Sequence, residues 1–114
     1  MTFDVWLTDD AARDLDDLFD FIAGSRGTRE AGFVLDQLGQ LLSTLDESPE
    51  RGTFPKELLA LGIREYREVF FKPYRVVYRV ADHAVFVLLI ADGRRDFETL
   101  LQRRLLEPRG GLSS

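Results

Sequence analysis

A chain of 114 residues is sized for one domain with a single core, and the absence of cysteine excludes disulfides, thiolate nucleophiles and Cys-ligated zinc. Its composition, 45% apolar and 31% charged, is ordinary for a soluble globular protein. The net charge of −5 conceals an asymmetry: residues 1–50 carry 3 Lys/Arg against 12 Asp/Glu, whereas residues 51–114 carry 12 against 8. An acidic total argues against indiscriminate nucleic-acid binding, while a basic half remains able to meet an acidic partner locally.

In chain order, Thr2–Leu7 reads as a short strand, with Phe3, Val5 and Leu7 alternating against Asp4 and Trp6. Thr8 or Asp9 then caps a helix whose Ala12, Leu15, Leu18, Phe19 and Ile22 form one apolar stripe. It is expected to stop near Ala23–Gly24, with Ser25–Thr28 as the connection. A second helix over Arg29–Asp46 is marked by Ala31, Val34, Leu35, Leu38, Leu41, Leu42 and Leu45. Two helices so closely joined predict an antiparallel hairpin. Residues 47–61 form a connecting segment with one helical turn at Pro55–Leu61.

Three strands follow, at Ile63–Phe71, Tyr74–Ala81 and Ala84–Ala91, bracketed by turn signals at Lys72–Pro73, Asp82–His83 and Asp92–Gly93. In the middle strand Tyr74, Val76, Tyr78 and Val80 face one side, and Arg75, Val77 and Arg79 the other. A closing helix over Arg95–Leu106 turns Phe97, Leu100, Leu101 and Leu105 inward and Arg103 and Arg104 outward. The order β-α-α-β-β-β-α predicts an α+β fold, a helical hairpin on an antiparallel-dominated sheet. Residues 1–107 form the expected domain and 108–114 a flexible tail. No signal peptide and no run long enough to span a bilayer is read, no membrane partner is expected, and the absence of cysteine fits a reducing cytoplasm.

Arginine dominates the candidate chemistry. Arg67, Arg75, Arg79, Arg94 and Arg95 would converge if they shared a sheet face, and a guanidinium fork suits phosphate. Equally open is a solvated row of arginines opposite a buried face. Whether Arg67 joins Arg75 depends on the length of the Lys72–Pro73 turn. Arginine cannot move protons near neutral pH, and the remaining candidates, Glu68, Lys72, the strand tyrosines and the hairpin residue His83, assemble no catalytic constellation. The aspartates of the first helix, among them Asp10, Asp14 and Asp17 on one face, read as a solvated surface before a metal site. No phosphate-binding glycine loop is present. Neither a cofactor nor a metal is expected.

The opening strand with LTDDAARDLDDLFDFI, the SPERG connection, EYRE, PYRVVYRV with its apolar follow-on strand, and GRRD before a helix ending RRLL together resemble the RelE/ParE superfamily of toxin–antitoxin toxins. The resemblance implies a cytoplasmic, growth-inhibiting toxin neutralised by a cognate antitoxin, with Arg79, Arg94, Arg103 and Arg104 as partner-binding candidates in the basic half. RelE-like members cut mRNA on the ribosome without a metal, and Arg67, Arg75 and Arg95 stand where these toxins carry basic catalytic groups. Val69 replaces a lysine of that set, and Leu101 falls near its tyrosine. ParE-like members instead inhibit DNA gyrase without chemistry of their own. The eroded nuclease set and the helical hairpin favour this side, a gyrase inhibitor, with a ribosome-dependent endoribonuclease as the alternative.

Overall fold

The computed structural model describes residues 2–106. Strand β1 (Asp4–Leu7) leads into helices α1 (Asp9–Arg26) and α2 (Thr28–Ser43), a 3-10 turn at Thr44–Asp46, and the one-turn helix α3 (Lys56–Leu59). Strands β2 (Arg67–Phe71), β3 (Tyr74–Ala81) and β4 (Ala84–Asp92) precede α4 (Phe97–Leu101), which continues as a π-helical segment over Gln102–Leu106. The four strands form one mixed sheet in the order β1-β4-β3-β2, with β1 parallel to β4 and the other pairs antiparallel. The expected α+β architecture is the observed one. The expected tail, 108–114, lies outside the described residues.

Local chemistry sets the element boundaries. Thr8 caps α1, its hydroxyl accepting from the Ala11 amide, with Asp9 and Asp10 at the positive helix end. The helix runs through Gly24, a residue that weakens a helix by about 1 kcal/mol without breaking it. It stops at Gly27, whose φ of 98° reverses the chain and whose amide bonds Ala23. The predicted connection Ser25–Thr28 therefore shrinks to one residue. Along α1, Ala11 rather than Ala12 enters the core, while α2 buries Ala31, Val34 and Leu38 as its stripe predicts.

The second strand is shorter than Ile63–Phe71, beginning only at Arg67. Its outer edge is partly closed by Thr53, which exchanges two backbone hydrogen bonds with Glu68. Asp96 caps α4 by accepting from Thr99, so this helix starts at Phe97 and not at Arg95.

The sheet has a core on each side. Tyr74, Val76, Tyr78, Val85, Val87 and Ile90 meet the α1–α2 hairpin. On the opposite face, Val77, Leu89 and Ala91 are buried under Leu58, Phe97 and Leu101. The solvated arginine row is thus corrected for Arg75 only: the closing helix covers one end of that second face, and Arg79 at the other end is exposed. Between the two cores the β3–β4 register slips by one residue: Val77 pairs Leu89, but Tyr78 pairs Val87, leaving Leu88 as a bulge.

Candidate functional site

Phe71 pairs Tyr74 across the two-residue Lys72–Pro73 turn, which fixes the parity of the strand arginines. Arg67 pairs Tyr78 and shares its face, whereas Arg75 and Arg79 belong to the other. Arg67 and Arg75 therefore do not converge.

Arg75 is held by two carboxylates. Its Nε donates to Glu68 at 2.8 Å, and its two terminal nitrogens donate to Glu57 at 3.0 and 2.9 Å. One of them also lies 2.6 Å from Glu68. Every guanidinium nitrogen is thereby engaged, and the cation sits 3.8 Å from the centroid of Phe97. Only 8% of Arg75 and 5% of Glu68 is exposed, so this is a buried charge cluster. Burial pushes the Glu68 carboxyl above its usual range, against the pull of Arg75. The hydrogen bonds from Arg75 hold Glu57 below it. Gly93 gives the arginine room, since a Cβ there would stand 2.6 Å from its Cδ.

Outside this cluster, Lys56, Lys72, Arg94, Phe54 and Phe70 line a shallow cleft whose floor is Glu68 and Arg75. Arg94 is tied to Asp92 at 2.6 Å, and this hydrogen bonding lowers the Asp92 carboxyl. Arg67 lies elsewhere, donating to the Glu50 and Gly52 carbonyls and stacking on Phe54 at 4.6 Å. Nearby, the Gly52 amide donates to the buried Tyr78 hydroxyl. Arg95 is exposed and faces a third region. The three arginines matched to the nuclease set thus occupy three separate surroundings.

That third region is a groove of about 400 Å³ between α1 and the end of β4, lined by Leu18, Phe21, Ile22, Tyr74, Ile90 and Arg95 among others. Phe21 is 73% exposed at its rim. Strand β1 pairs β4 only through Val87, leaving the outer edge open from Leu88 onward. Side chains substitute for the missing strand there. Asp14 accepts from the Ile90 amide at 2.9 Å, and Arg104 donates to the Leu88 carbonyl at 2.7 Å. Arg104 and Asp14 are themselves joined by two bonds of 2.8 and 3.0 Å. Arg104 was expected outward; it is folded inward, while Arg79 and Arg103 remain exposed.

Glu57 and the role of Asp14 escaped the sequence reading. A signal for Glu57 existed, because Val77 on the Arg75 face, together with the apolar β4, implied burial and hence a need for counter-charges. Asp14 gave no such signal, since its partners lie 76 and 90 residues away. Among the described residues no cluster of His, Asp or Glu is arranged to hold a metal ion, and no helix is long and apolar enough to cross a membrane.

Comparison with known proteins assigns the fold. A chain of the chromosomal ParDE toxin–antitoxin system of P. aeruginosa superposes with a TM-score of 0.67 at 18% identity, covering 79% of this chain and 95% of that one. A substituted E. coli RelE toxin in the free state gives 0.60 at 19% identity, covering 92% and 100%. The RelBE2 toxin–antitoxin complex of Mycobacterium tuberculosis gives 0.53 at 22%, covering 81% and 92%. No curated protein sequence matches the chain. Residues 5–97 match the family described as the ParE toxin of the type II toxin–antitoxin system parDE, and the chain belongs to that family.

Proposed function

We propose that this chain is a cytoplasmic toxin that inhibits DNA gyrase by binding and is neutralised by a cognate antitoxin. The observation that carries the reading is the state of Arg75. A transferring phosphate needs free donors on the arginine meant to stabilise it, and here all three nitrogens are committed to Glu57 and Glu68. Arg67 and Arg95 stand in other surroundings, and Val69, buried in the core, supplies no lysine. What remains is suited to binding. The α1–β4 groove, with Phe21 at its rim and Arg26, Arg94 and Arg95 along it, is the proposed seat of the antitoxin.

One observation favours a second reading, a ribosome-dependent endoribonuclease. Lys56, Lys72 and Arg94 surround Glu68, whose carboxyl is raised by burial and would serve as the proton acceptor. Expression in a bacterial host lacking the antitoxin separates the two. Under the gyrase reading, pulse-labelled DNA synthesis stops before protein synthesis and a DNA-damage response follows. Protein synthesis stopping first, with cut mRNA, establishes the nuclease instead.

A further inference from the structure

The groove between α1 and the end of β4 has a direction. On its α1 wall, Asp14, Asp17, Leu18, Phe21, Ser25 and Arg26 recur at helical spacing along one face. About twelve residues, or ~18 Å of helix, separate Asp14 from Arg26. The β4 wall runs in the same sense. Asp14 accepts from the Ile90 amide at one end, and beyond Asp92 the strand leads to Arg94 and Arg95, which line the groove together with Arg26.

Charge is divided along this axis. At the first end Arg104 is bound to Asp14, and Asp17 stands exposed beside them. At the far end Arg94 is bound to Asp92, and Arg26 and Arg95 stand exposed. Asp17, Arg26 and Arg95 take part in no salt bridge among the described residues. Between the two ends the lining is apolar, from Leu18, Phe21 and Ile22 on one side to Tyr74, Ile90 and Ala91 on the other. A strand is not the occupant this trough fits. The Leu88 carbonyl and Ile90 amide, the edge groups of β4 beside it, already bond Arg104 and Asp14. A helix satisfies its own backbone and needs only apolar contact and ends of the right sign.

We propose that the groove takes an amphipathic partner helix lying parallel to α1, with its N-terminus at Asp17 and its C-terminus between Arg26 and Arg95. A helix macrodipole is positive at the N-terminus and negative at the C-terminus, which matches the charge division of the groove. The reverse orientation sets each helix end against its own sign. The partner's chemistry follows: an apolar stripe at i, i+3, i+4 and i+7, basic residues in the first turn and acidic residues in the last. On the antitoxin reading of the groove, on which this rests, the helix is the antitoxin's.

Two fluorescein-labelled peptides of about 16 residues, titrated by anisotropy into the full-length protein, provide the test. Both carry one leucine stripe and the same composition. One has lysines in its first turn and glutamates in its last; the other has them exchanged. Each is titrated into the parent and into an Asp17→Lys, Arg95→Glu double variant with an unchanged thermal transition. The four dissociation constants form a cycle in which the intrinsic helicity of each peptide cancels. The preference for the lysine-first peptide is expected to fall about tenfold or more from parent to double variant. Asp20→Lys, on α1 but outside the groove, should leave it within about twofold. Should the double variant lose its transition, Arg95→Glu alone, at an exposed loop position, is expected to shift it about threefold in the same sense. An unchanged preference overturns the direction, and failure of the parent to bind either peptide overturns the helix seat. Whether the helix belongs to the antitoxin is read separately, by coexpression. Phe21→Asp should release the toxin from neutralisation. Neutralisation that persists overturns the antitoxin reading and leaves the peptide result standing.

Discussion

Arg75 and Arg79 occupy the same face of the same strand, four residues apart, yet their circumstances are opposite. Arg75 lies under Phe97 with two carboxylates around it. Arg79, past the end of the closing helix, is exposed and takes part in no salt bridge among the described residues. A strand pattern treats them alike. What separates them is the reach of α4, which buries one end of the face and leaves the other open. Burial turns an arginine into a structural tie that must be neutralised. Exposure leaves its donors available to a partner.

Breaking the buried end has the largest consequence. Arg75→Ala strands Glu57 and Glu68 without their cation and should lower unfolding free energy by about 3–5 kcal/mol, read by denaturant melts. Next comes the other tie of the closing segment. Arg104→Ala removes the bonds to Asp14 and the Leu88 carbonyl and should cost about 2 kcal/mol. It should also speed hydrogen exchange at the Ile90 amide, whose acceptor Asp14 is then released.

The two carboxylates of the buried cluster respond to pH in opposite senses. The Glu57 pKa is lowered on folding, so its contribution is present above its unfolded value and fades as pH falls through the folded one. The loss of stability in Glu57→Gln should therefore be greatest near neutrality and shrink below the ordinary glutamate range. The Glu68 pKa is raised, so its contribution is full below the unfolded value and is lost as pH climbs through the folded one. Glu68→Gln should compare best with the parent near neutral pH and lose ground on acidification. Melts of both variants across the acid range check the two slopes. Smallest of all, Arg79→Ala should change stability by less than about 0.5 kcal/mol in the same melts, as befits an exposed side chain with no salt bridge among the described residues.

The elements of this fold were largely legible because they obey local rules. The alternation in Tyr74–Val80 placed every residue on its observed side, and the leucine spacing of α2 placed its stripe. Errors arose where a distant contact decided the outcome. Gly24 looked like a stop, but the reversal was set by Gly27. Arg104 looked solvated because its periodicity pointed outward, whereas the open edge of β4 drew it in. The site was less legible than the fold for the same reason. The cluster around Arg75 needs α3, β2, β3 and α4 together, and Glu57 lies in the least patterned part of the chain.

The central claim, that this ParE-family chain acts by binding and that its strand arginines do no chemistry, meets its most direct test in purified components. The toxin would be added in parallel to gyrase with relaxed plasmid and to translating ribosomes with a defined mRNA. Inhibited supercoiling and intact message are the expected result. Cut message with unaffected supercoiling would contradict it, and would mean that Arg75 leaves its two carboxylates when RNA arrives.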